Sequence, residues 1–351
     1  MWQALKRIFC CSSAPTSDEL YEKAQAFFNE YQNTKSLHDL KKAIDNYREA
    51  LVARRKENNP DEGHILVNYA TALWNRYERA PGSARELEEI IRLYEGADEE
   101  WSREREKPEG YPDLLLDLGN AYYTKSLVVI EDAAVSLDKA IEFLERLDLD
   151  SNARLPPETR VKGMVMLGTA LNRRCTLHKM TDRLDEAIDL LKRSSDSLAR
   201  KEWTDGMPDN IRFLCLNNLA TAYNVRYRYN KPQDPRDLDN AIEYSRRALA
   251  ALPSGHGERG TTSFNLATQL YKRYELVQKR GAEQLLASGL DAREGVQDLN
   301  DAFEMGLEAQ RLLRGTGHSA SVERLLEVIK VHREALSRTG SRATTPNLNE
   351  A

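Results

Sequence analysis

One stretch of the sequence has a spacing that could serve an enzyme, but its surroundings do not fit that chemistry. Gly255, Gly257 and Gly260 match the G-x-G-x-x-G of a dinucleotide-binding loop. Such a loop works between a strand and a helix, whereas this stretch follows a helical segment and Pro253. The six histidines have neither His-x-x-x-His nor Cys-His spacing. We therefore predict a protein that is not an enzyme, with no catalytic residue, no cofactor and no metal site.

The four cysteines divide into an adjacent pair, Cys10 and Cys11, and two isolated residues, Cys175 and Cys215. The isolated residues lie in apolar helical pattern and are predicted to be small core side chains. The adjacent pair ends a basic and apolar segment, residues 1–11, that would be amphipathic as a helix. Cysteines in that setting are candidate S-palmitoylation sites. A disordered start and a helix that caps the first repeat are the open alternatives.

A row of basic residues could bind phosphate groups or could pair with acids. Five of them recur at intervals of 47 to 52 residues, and acids recur just before the next helical pattern. We predict ion pairs within or between helix hairpins, since several acids fall near helix N-termini; a phosphate-binding row is the alternative. The basic residues are Arg76, Lys125, Arg174, Arg226 and Arg273, and the acids are Asp39, Glu86, Asp237 and Asp298.

This spacing reflects an internal repeat that covers most of the chain. One phrase has a large apolar residue, a small residue directly after it, and another large apolar residue three positions later. A second phrase, Leu-x-x-small-apolar, follows after 17 to 19 residues in most units. Both phrases have helical spacing, and proline and glycine fall between them, so each unit is predicted to be a helix hairpin. The first phrase begins at Tyr69, Leu118, Leu167, Leu219 and Leu266, and the second at Leu40, Leu87, Leu137, Leu184, Leu238 and Leu299.

The phrase Leu219-Ala220-x-x-Tyr223, followed by Ala241 and Ala248, resembles the tetratricopeptide repeat. Units near 50 residues rather than ~34 are similar to the long repeats of fungal tetratricopeptide proteins, and the Asn-Asn before Leu219 resembles kinesin-light-chain repeats. The resemblance implies an all-α, right-handed superhelical solenoid of about six antiparallel helix hairpins with a C-terminal capping helix. Fungal relatives often join such repeats to a caspase-like protease or a nucleotide-binding domain, and we expect neither domain in this chain.

In this family the first helix of each hairpin lines the concave surface, which implies a scaffold or adaptor that binds protein segments. The exposed face of these helices is rich in asparagine, threonine and aromatic residues. An amide offers donors and an acceptor to a peptide backbone, and aromatics supply apolar contacts; a plain polar helix face is the alternative. This Asn/Thr stripe comprises Asn68, Thr71, Trp74, Asn75, Asn120, Tyr123, Asn172, Asn218, Thr221, Asn224, Asn265, Thr268 and Tyr271.

Composition restricts the partners of the chain. The net charge of −5 gives no electrostatic basis for binding nucleic acid, and no apolar run approaches the ~18 residues of a membrane span. We predict a cytoplasmic protein that binds other proteins or peptides, with peripheral membrane attachment limited to residues 1–11. The alternatives are a membrane-tethered signalling adaptor and an enzyme with a site in the groove or in the insertion of the sixth unit.

Four segments follow from these patterns. Residues 1–15 are the N-terminal cysteine-containing segment, because a capping-box pattern from Thr16 to Glu19 marks the start of the first array helix. The repeat array covers 16–318, with an insertion at about 280–296. A capping helix is predicted over 319–337 and a disordered tail over 338–351.

Overall fold

The computed structural model describes residues 14–59, 61–80, 82–200, 209–279 and 292–343. Within these ranges the chain contains thirteen α-helices, one short 3-10 helix and no strand. The predicted all-α class, built from helix hairpins, is therefore confirmed. The helices are α1 (Ser17–Thr34), α2 (Leu37–Lys56), α3 (Gly63–Arg79), α4 (Ala84–Trp101), α5 (Tyr111–Val128), α6 (Ala133–Glu145), α7 (Pro157–His178), α8 (Leu184–Ala199), α9 (Asp209–Tyr229), α10 (Pro235–Ala250), α11 (Arg259–Lys279), α12 (Ala292–Leu312) and α13 (Ser319–Ala343).

The helices belong to two compact units, the first ending at Thr159 and the second beginning at Arg160. In unit 1, α1 packs on α2, α3 on α4 and α5 on α6; the first of these hairpins packs on the second, and the second on the third. In unit 2, α9 packs on α10 and α11 on α12 in the same way, and α13 closes the series against α12 and α11. Each unit is thus a stack in which neighbouring hairpins share their apolar faces.

The start of α1 is fixed by the predicted capping box. The Thr16 hydroxyl accepts a hydrogen bond from the backbone N–H of Glu19 at 3.2 Å. In return the Glu19 carboxylate accepts one from the backbone N–H of Thr16 at 3.0 Å. Two N–H groups that lack intrahelical partners are satisfied by this exchange, and the prediction is confirmed.

Small residues of the repeat phrase allow the two helices of a hairpin to approach closely. A Cβ atom on Gly119 of α5 would lie 2.6 Å from Cγ of Leu144 on α6. One on Gly168 of α7 would lie 2.8 Å from Cγ of Leu191 on α8. The equivalent alanines of the other units are also buried: Ala70, Ala220 and Ala267. Close packing explains why the small position recurs.

The C-terminal boundaries differ in detail from the predicted ones. The helix predicted over 319–337 corresponds to α13, which buries Val322, Leu326 and Ile329 and whose backbone stays helical to Ala343. The helix thus takes in six residues of the segment predicted as a tail. Residues 280–291 of the predicted insertion lie outside the described ranges, and 292–296 form the start of α12.

Candidate functional site

The recurrent basic residues are ion-paired in both units, as predicted. In unit 2, Arg226 Nη2 lies 2.6 Å from Asp237 of its own hairpin, and Arg226 Nη1 lies 2.5 Å from Asp185 on α8 of the preceding hairpin. Arg273 repeats this arrangement with Asp298 and Asp239. The remaining members face acids at 2.6 to 3.8 Å: Arg76 with Glu86, Lys125 with Glu88 and Asp132, and Arg174 with Asp182.

Arg226 and Arg273 therefore have a structural role. Each is held between two carboxylates, an arrangement that we call an arginine fork. Hydrogen bonds to Asp237, followed by those to Asp185, raise the pKa of Arg226 although burial opposes the shift. Burial lowers the pKa of Arg273, but its hydrogen bonds to Asp298 and Asp239 outweigh this and raise it. All three guanidinium nitrogens of each arginine contact carboxylates. These contacts compete directly with any phosphate, and they connect consecutive hairpins.

In unit 1, two amides of the Asn/Thr stripe join neighbouring hairpins. Asn68 Nδ2 on α3 donates to the hydroxyl of Tyr21 on α1 at 2.6 Å. Asn75 Oδ1 accepts a hydrogen bond from the hydroxyl of Tyr31 at 3.3 Å, while its Nδ2 donates to a carbonyl oxygen of α3 at 2.9 Å. Both side chains are half-buried, and these contacts stabilise the packing of α3 on α1.

The other stripe residues of unit 1 are also half-buried. The Thr71 and Tyr94 hydroxyls are 3.1 Å apart, which joins α3 to α4. Trp74 donates from its indole nitrogen to a glutamate of its own helix at 2.8 Å, and its ring stacks on a tyrosine ring at 5.9 Å. Asn120 and Tyr123 lie on the partly exposed side of α5. Unit 1 thus keeps part of the stripe accessible, although most of its polar atoms already have partners inside the protein.

In unit 2, one predicted stripe residue is enclosed by the protein. Asn172 is only 2% exposed, and its Nδ2 donates to the backbone carbonyl oxygen of Asn218 at 3.3 Å. Its Oδ1 has no hydrogen-bond partner among the described residues. Asn172 therefore joins α7 to α9 and offers little surface to a ligand.

Three further residues of the stripe bond back onto their own helices. Asn218 Nδ2, Thr221 Oγ1 and Thr268 Oγ1 each donate to the carbonyl oxygen four residues earlier, at 2.9 Å in every case. A ligand can displace such local bonds easily. They also leave the amide or hydroxyl oxygen of each side chain free to accept a hydrogen bond from a ligand. These residues can accept hydrogen bonds without a change of rotamer.

An open pocket of about 520 Å³ lies between α9 and α11 and collects two stripe residues, Asn224 and Thr268. One helical turn further along each helix lies a basic residue, Arg228 after Asn224 and Lys272 after Thr268. The Arg228 guanidinium lies over a tyrosine ring at 5.5 Å, and Lys272 Nζ is 2.9 Å from a glutamate of α11. The pocket is lined by Asn224, Tyr227, Arg228, Tyr229, Gln233, Thr268 and Lys272.

The last two stripe residues also lie on α11, outside this pocket's lining. Asn265 is half-buried. The Tyr271 hydroxyl is 3.2 Å from Nδ1 of His332 on α13, and burial raises the pKa of Tyr271 to about 12. Tyr271 thus contributes to the contact that holds α13 on α11. The sequence pattern did not identify Arg228, Tyr229 and Gln233, although Arg228 was detectable as the residue four positions after Asn224.

Neither a metal-binding group nor a membrane-spanning helix occurs in the described part of the chain. No group of three histidine, cysteine, aspartate or glutamate side chains there has the geometry to hold a metal ion. Among the same residues, no helix has the length and apolar character needed to cross a membrane. Cys175 and Cys215 are buried, as predicted. Cys10 and Cys11 lie outside the described ranges.

The buried thiols are expected to resist modification in the folded protein. Burial raises the pKa of Cys215 to about 12 and raises that of Cys175, so the thiolate that attacks a disulfide reagent is scarce at both sites near neutral pH. In a Cys10→Ser/Cys11→Ser variant, we expect almost no reaction with Ellman's reagent at pH 8 before unfolding. Addition of guanidinium chloride should then expose both thiols. Rapid reaction of the folded variant would contradict this assignment.

Among known proteins, the chain is similar to several solved structures. No protein family matches the sequence, and no curated protein matches it. The nuclear import adaptor Nro1 of S. pombe aligns over 89% of this chain and 99% of its own, with 12% identity and a TM-score of 0.43. Yeast Tom70 aligns over 93% of this chain and 66% of its own, with 12% identity and a TM-score of 0.35. A circular tandem repeat protein aligns over 94% of this chain and 85% of its own, with 16% identity and a TM-score of 0.31.

Proposed function

We propose that the chain is a non-enzymatic adaptor that binds extended peptide segments of other proteins along the first helices of its hairpins. The observation that carries the proposal is the pocket between α9 and α11, where Asn224 and Thr268 lie beside tyrosine rings and two cations. The amide and hydroxyl groups suit the N–H and C=O groups of a peptide backbone. The rings supply the apolar contacts that usually dominate the binding energy of an interface.

The site that we propose is narrower than the whole stripe. Asn224, Thr268, Asn218 and Thr221 form its polar part. Their side chains are half-buried or exposed, and every bond that the last three make to a described residue is to a carbonyl oxygen of their own helix. Residues of the stripe that bridge helices, such as Asn172, have a packing role instead. The relation to fungal or kinesin-light-chain repeats belongs to the same proposal and rests on the Asn-Asn-Leu-Ala phrase that ends at Ala220.

Peptide selection on the purified full chain tests the function. We expect a random-peptide display library to yield peptides that bind in competition with one another. The Asn224→Ala/Thr268→Ala variant should bind a selected peptide about thirtyfold more weakly, because the two lost hydrogen bonds together contribute about 2 kcal/mol. The affinity is measured by isothermal titration calorimetry.

A matched variant separates binding from folding. Asn240→Ala/Thr261→Ala makes the same chemical changes at half-buried positions of α10 and α11 that do not line the pocket. It should bind the peptide as the wild type does, and both variants should keep the wild-type circular dichroism spectrum. Failure to enrich any peptide, or equal affinity in all three proteins, would contradict the proposed function.

A further inference from the structure

The pocket between α9 and α11 concentrates positive charge in a chain that is acidic overall. Arg228 and Lys272 both line it, and none of its seven lining residues carries a carboxylate, whereas the whole chain has a net charge of −5. The arginine forks of the same unit differ, because Arg226 and Arg273 are each held by two carboxylates. The pocket is therefore a positive site of its own, separate from the forks.

Arg228 has the N–H groups of its guanidinium available for a ligand. The side chain is exposed, lies over the Tyr229 ring at 5.5 Å, and forms no ion pair with any described residue. A guanidinium that contacts a ring through its face keeps the N–H groups of its edge free. Two of these groups match two oxygens of an oxyanion such as a phosphate or a carboxylate. Arg228 can therefore bind an anion without breaking an existing ion pair.

Lys272 is engaged only in part. Its Nζ lies 2.9 Å from Glu275, three residues later on α11, and the lysine side chain is 46% exposed. Exposed ion pairs of this kind contribute little to stability, and Glu275 does not line the pocket. An ammonium group has three N–H donors, of which the contact to Glu275 uses one. Lys272 can therefore donate to a second acceptor without leaving Glu275.

Neutral donors complete the lining around the two cations. The amides of Asn224 and Gln233 each carry two N–H donors, and neither side chain forms a hydrogen bond to a described residue. The Tyr229 hydroxyl can donate as well.

The number of donors distinguishes between two kinds of anion. Together with the cations, the pocket offers more donors than the two oxygens of a carboxylate can use. A phosphate group on a side chain has three terminal oxygens and a charge of about −1.5 to −2 at pH 7. A phosphate group therefore matches the two cations and the surrounding donors better than a carboxylate does.

We propose that the pocket binds the phosphate group of a phosphorylated serine, threonine or tyrosine in the peptide of the partner protein. The inference rests on the proposed function, since the groove must hold that peptide. Arg228 supplies the bidentate contact and Lys272 a point charge. Asn224 serves both parts of the ligand, with Nδ2 toward the phosphate and Oδ1 toward a peptide N–H. Phosphorylation of the partner then controls its binding to the adaptor.

Binding of one peptide in three forms to the purified full chain tests the proposal. A peptide array with random flanks and a central phosphoserine, phosphothreonine or phosphotyrosine supplies the sequence. Isothermal titration calorimetry then compares the phosphorylated peptide with its unphosphorylated form and with a form that has glutamate at the same place. The phosphorylated form should bind at least tenfold more tightly than either of the others, because hydrogen bonds between cations and a phosphate are stronger than neutral ones.

Two variants with the same change of charge locate the effect. Arg228→Gln/Lys272→Gln should bind the phosphorylated peptide no more tightly than the unphosphorylated one. Arg212→Gln/Lys279→Gln is the control, because these two residues are exposed on the same helices and do not line the pocket; it should keep the preference of the wild type. Both variants should keep the wild-type circular dichroism spectrum, since all four positions are exposed.

The outcomes separate this inference from the proposed function. If the phosphorylated and unphosphorylated forms bind equally, the chain remains a peptide-binding adaptor and the phosphate site is refuted. Equal binding of the glutamate form would also refute it, because a carboxylate would then suffice. If no form of any peptide binds, both proposals fail. An oligouridylate, or vesicles with phosphatidylinositol phosphate, that displaced the phosphorylated peptide at a lower concentration would indicate RNA or a membrane as the occupant and would overturn the inference.

Discussion

Replacement of Arg273 by alanine is expected to lower the free energy of unfolding of unit 2 by about 3 to 5 kcal/mol. Asp298 is only 2% exposed, and its two oxygens accept hydrogen bonds from Arg273 at 2.6 and 2.7 Å. Removal of the guanidinium leaves this carboxylate buried without its charge partner. The same change also removes the 2.8 Å contact to Asp239 and with it a connection between consecutive hairpins.

The loss should be far smaller when both charges are removed together. In Arg273→Met/Asp298→Leu the site is filled by apolar groups of similar size, and replacement of a buried ion pair in this way is often close to neutral. Guanidinium chloride unfolding monitored by circular dichroism gives the comparison. If the single and double variants lose the same stability, the effect belongs to the packing of Arg273 rather than to its charge.

The repeat pattern was sufficient to predict the helices and the first carboxylate of each fork. Helical spacing is local, so phrases such as the one beginning at Leu238 define α10 without knowledge of its neighbours. Arg226 and Asp237 were both visible because they recur in register with the repeat. The second carboxylate of the Arg226 fork, Asp185, was not predicted. Which residues of two neighbouring hairpins meet depends on how one hairpin is shifted relative to the next, and the pattern within one repeat does not contain that shift.

The Asn/Thr stripe was only partly sufficient to predict the candidate site. The sequence rule assumes that every residue opposite the buried face of a first helix stays accessible. Asn172 breaks that assumption because α9 packs against it, and Tyr271 breaks it because His332 of α13 reaches its hydroxyl. Asn224 and Thr268 remain accessible, and they line a pocket because α9 and α11 leave space between them at that level. Coverage by neighbouring helices is a tertiary property that periodicity within one helix does not encode.

Substitution of Gly168 is expected to show most clearly how much stability depends on the close approach of two helices. Its Cβ position lies 2.8 Å from Cγ of Leu191 and 3.1 Å from the carbonyl oxygen of Ala187, both on α8. The leucine can change rotamer, but the carbonyl oxygen moves only if α8 shifts as a whole. Gly168→Leu should therefore lower the free energy of unfolding by about 3 kcal/mol, at the upper end of overpacking costs.

Gly168→Ala should cost less, about 1 kcal/mol, because the better helix propensity of alanine offsets part of the strain. Gly110 provides the contrast, since a Cβ there meets nothing within 4 Å and its φ of −76° suits any residue. Gly110 is the N-cap of α5, where alanine is less favourable than glycine, so Gly110→Ala should lower the melting temperature only slightly. Differential scanning calorimetry of Gly168→Leu, Gly168→Ala and Gly110→Ala measures the melting temperatures that test these expectations. A stable Gly168→Leu protein would show that α7 and α8 can separate at little cost, and the recurrence of small residues would then need a cause other than packing.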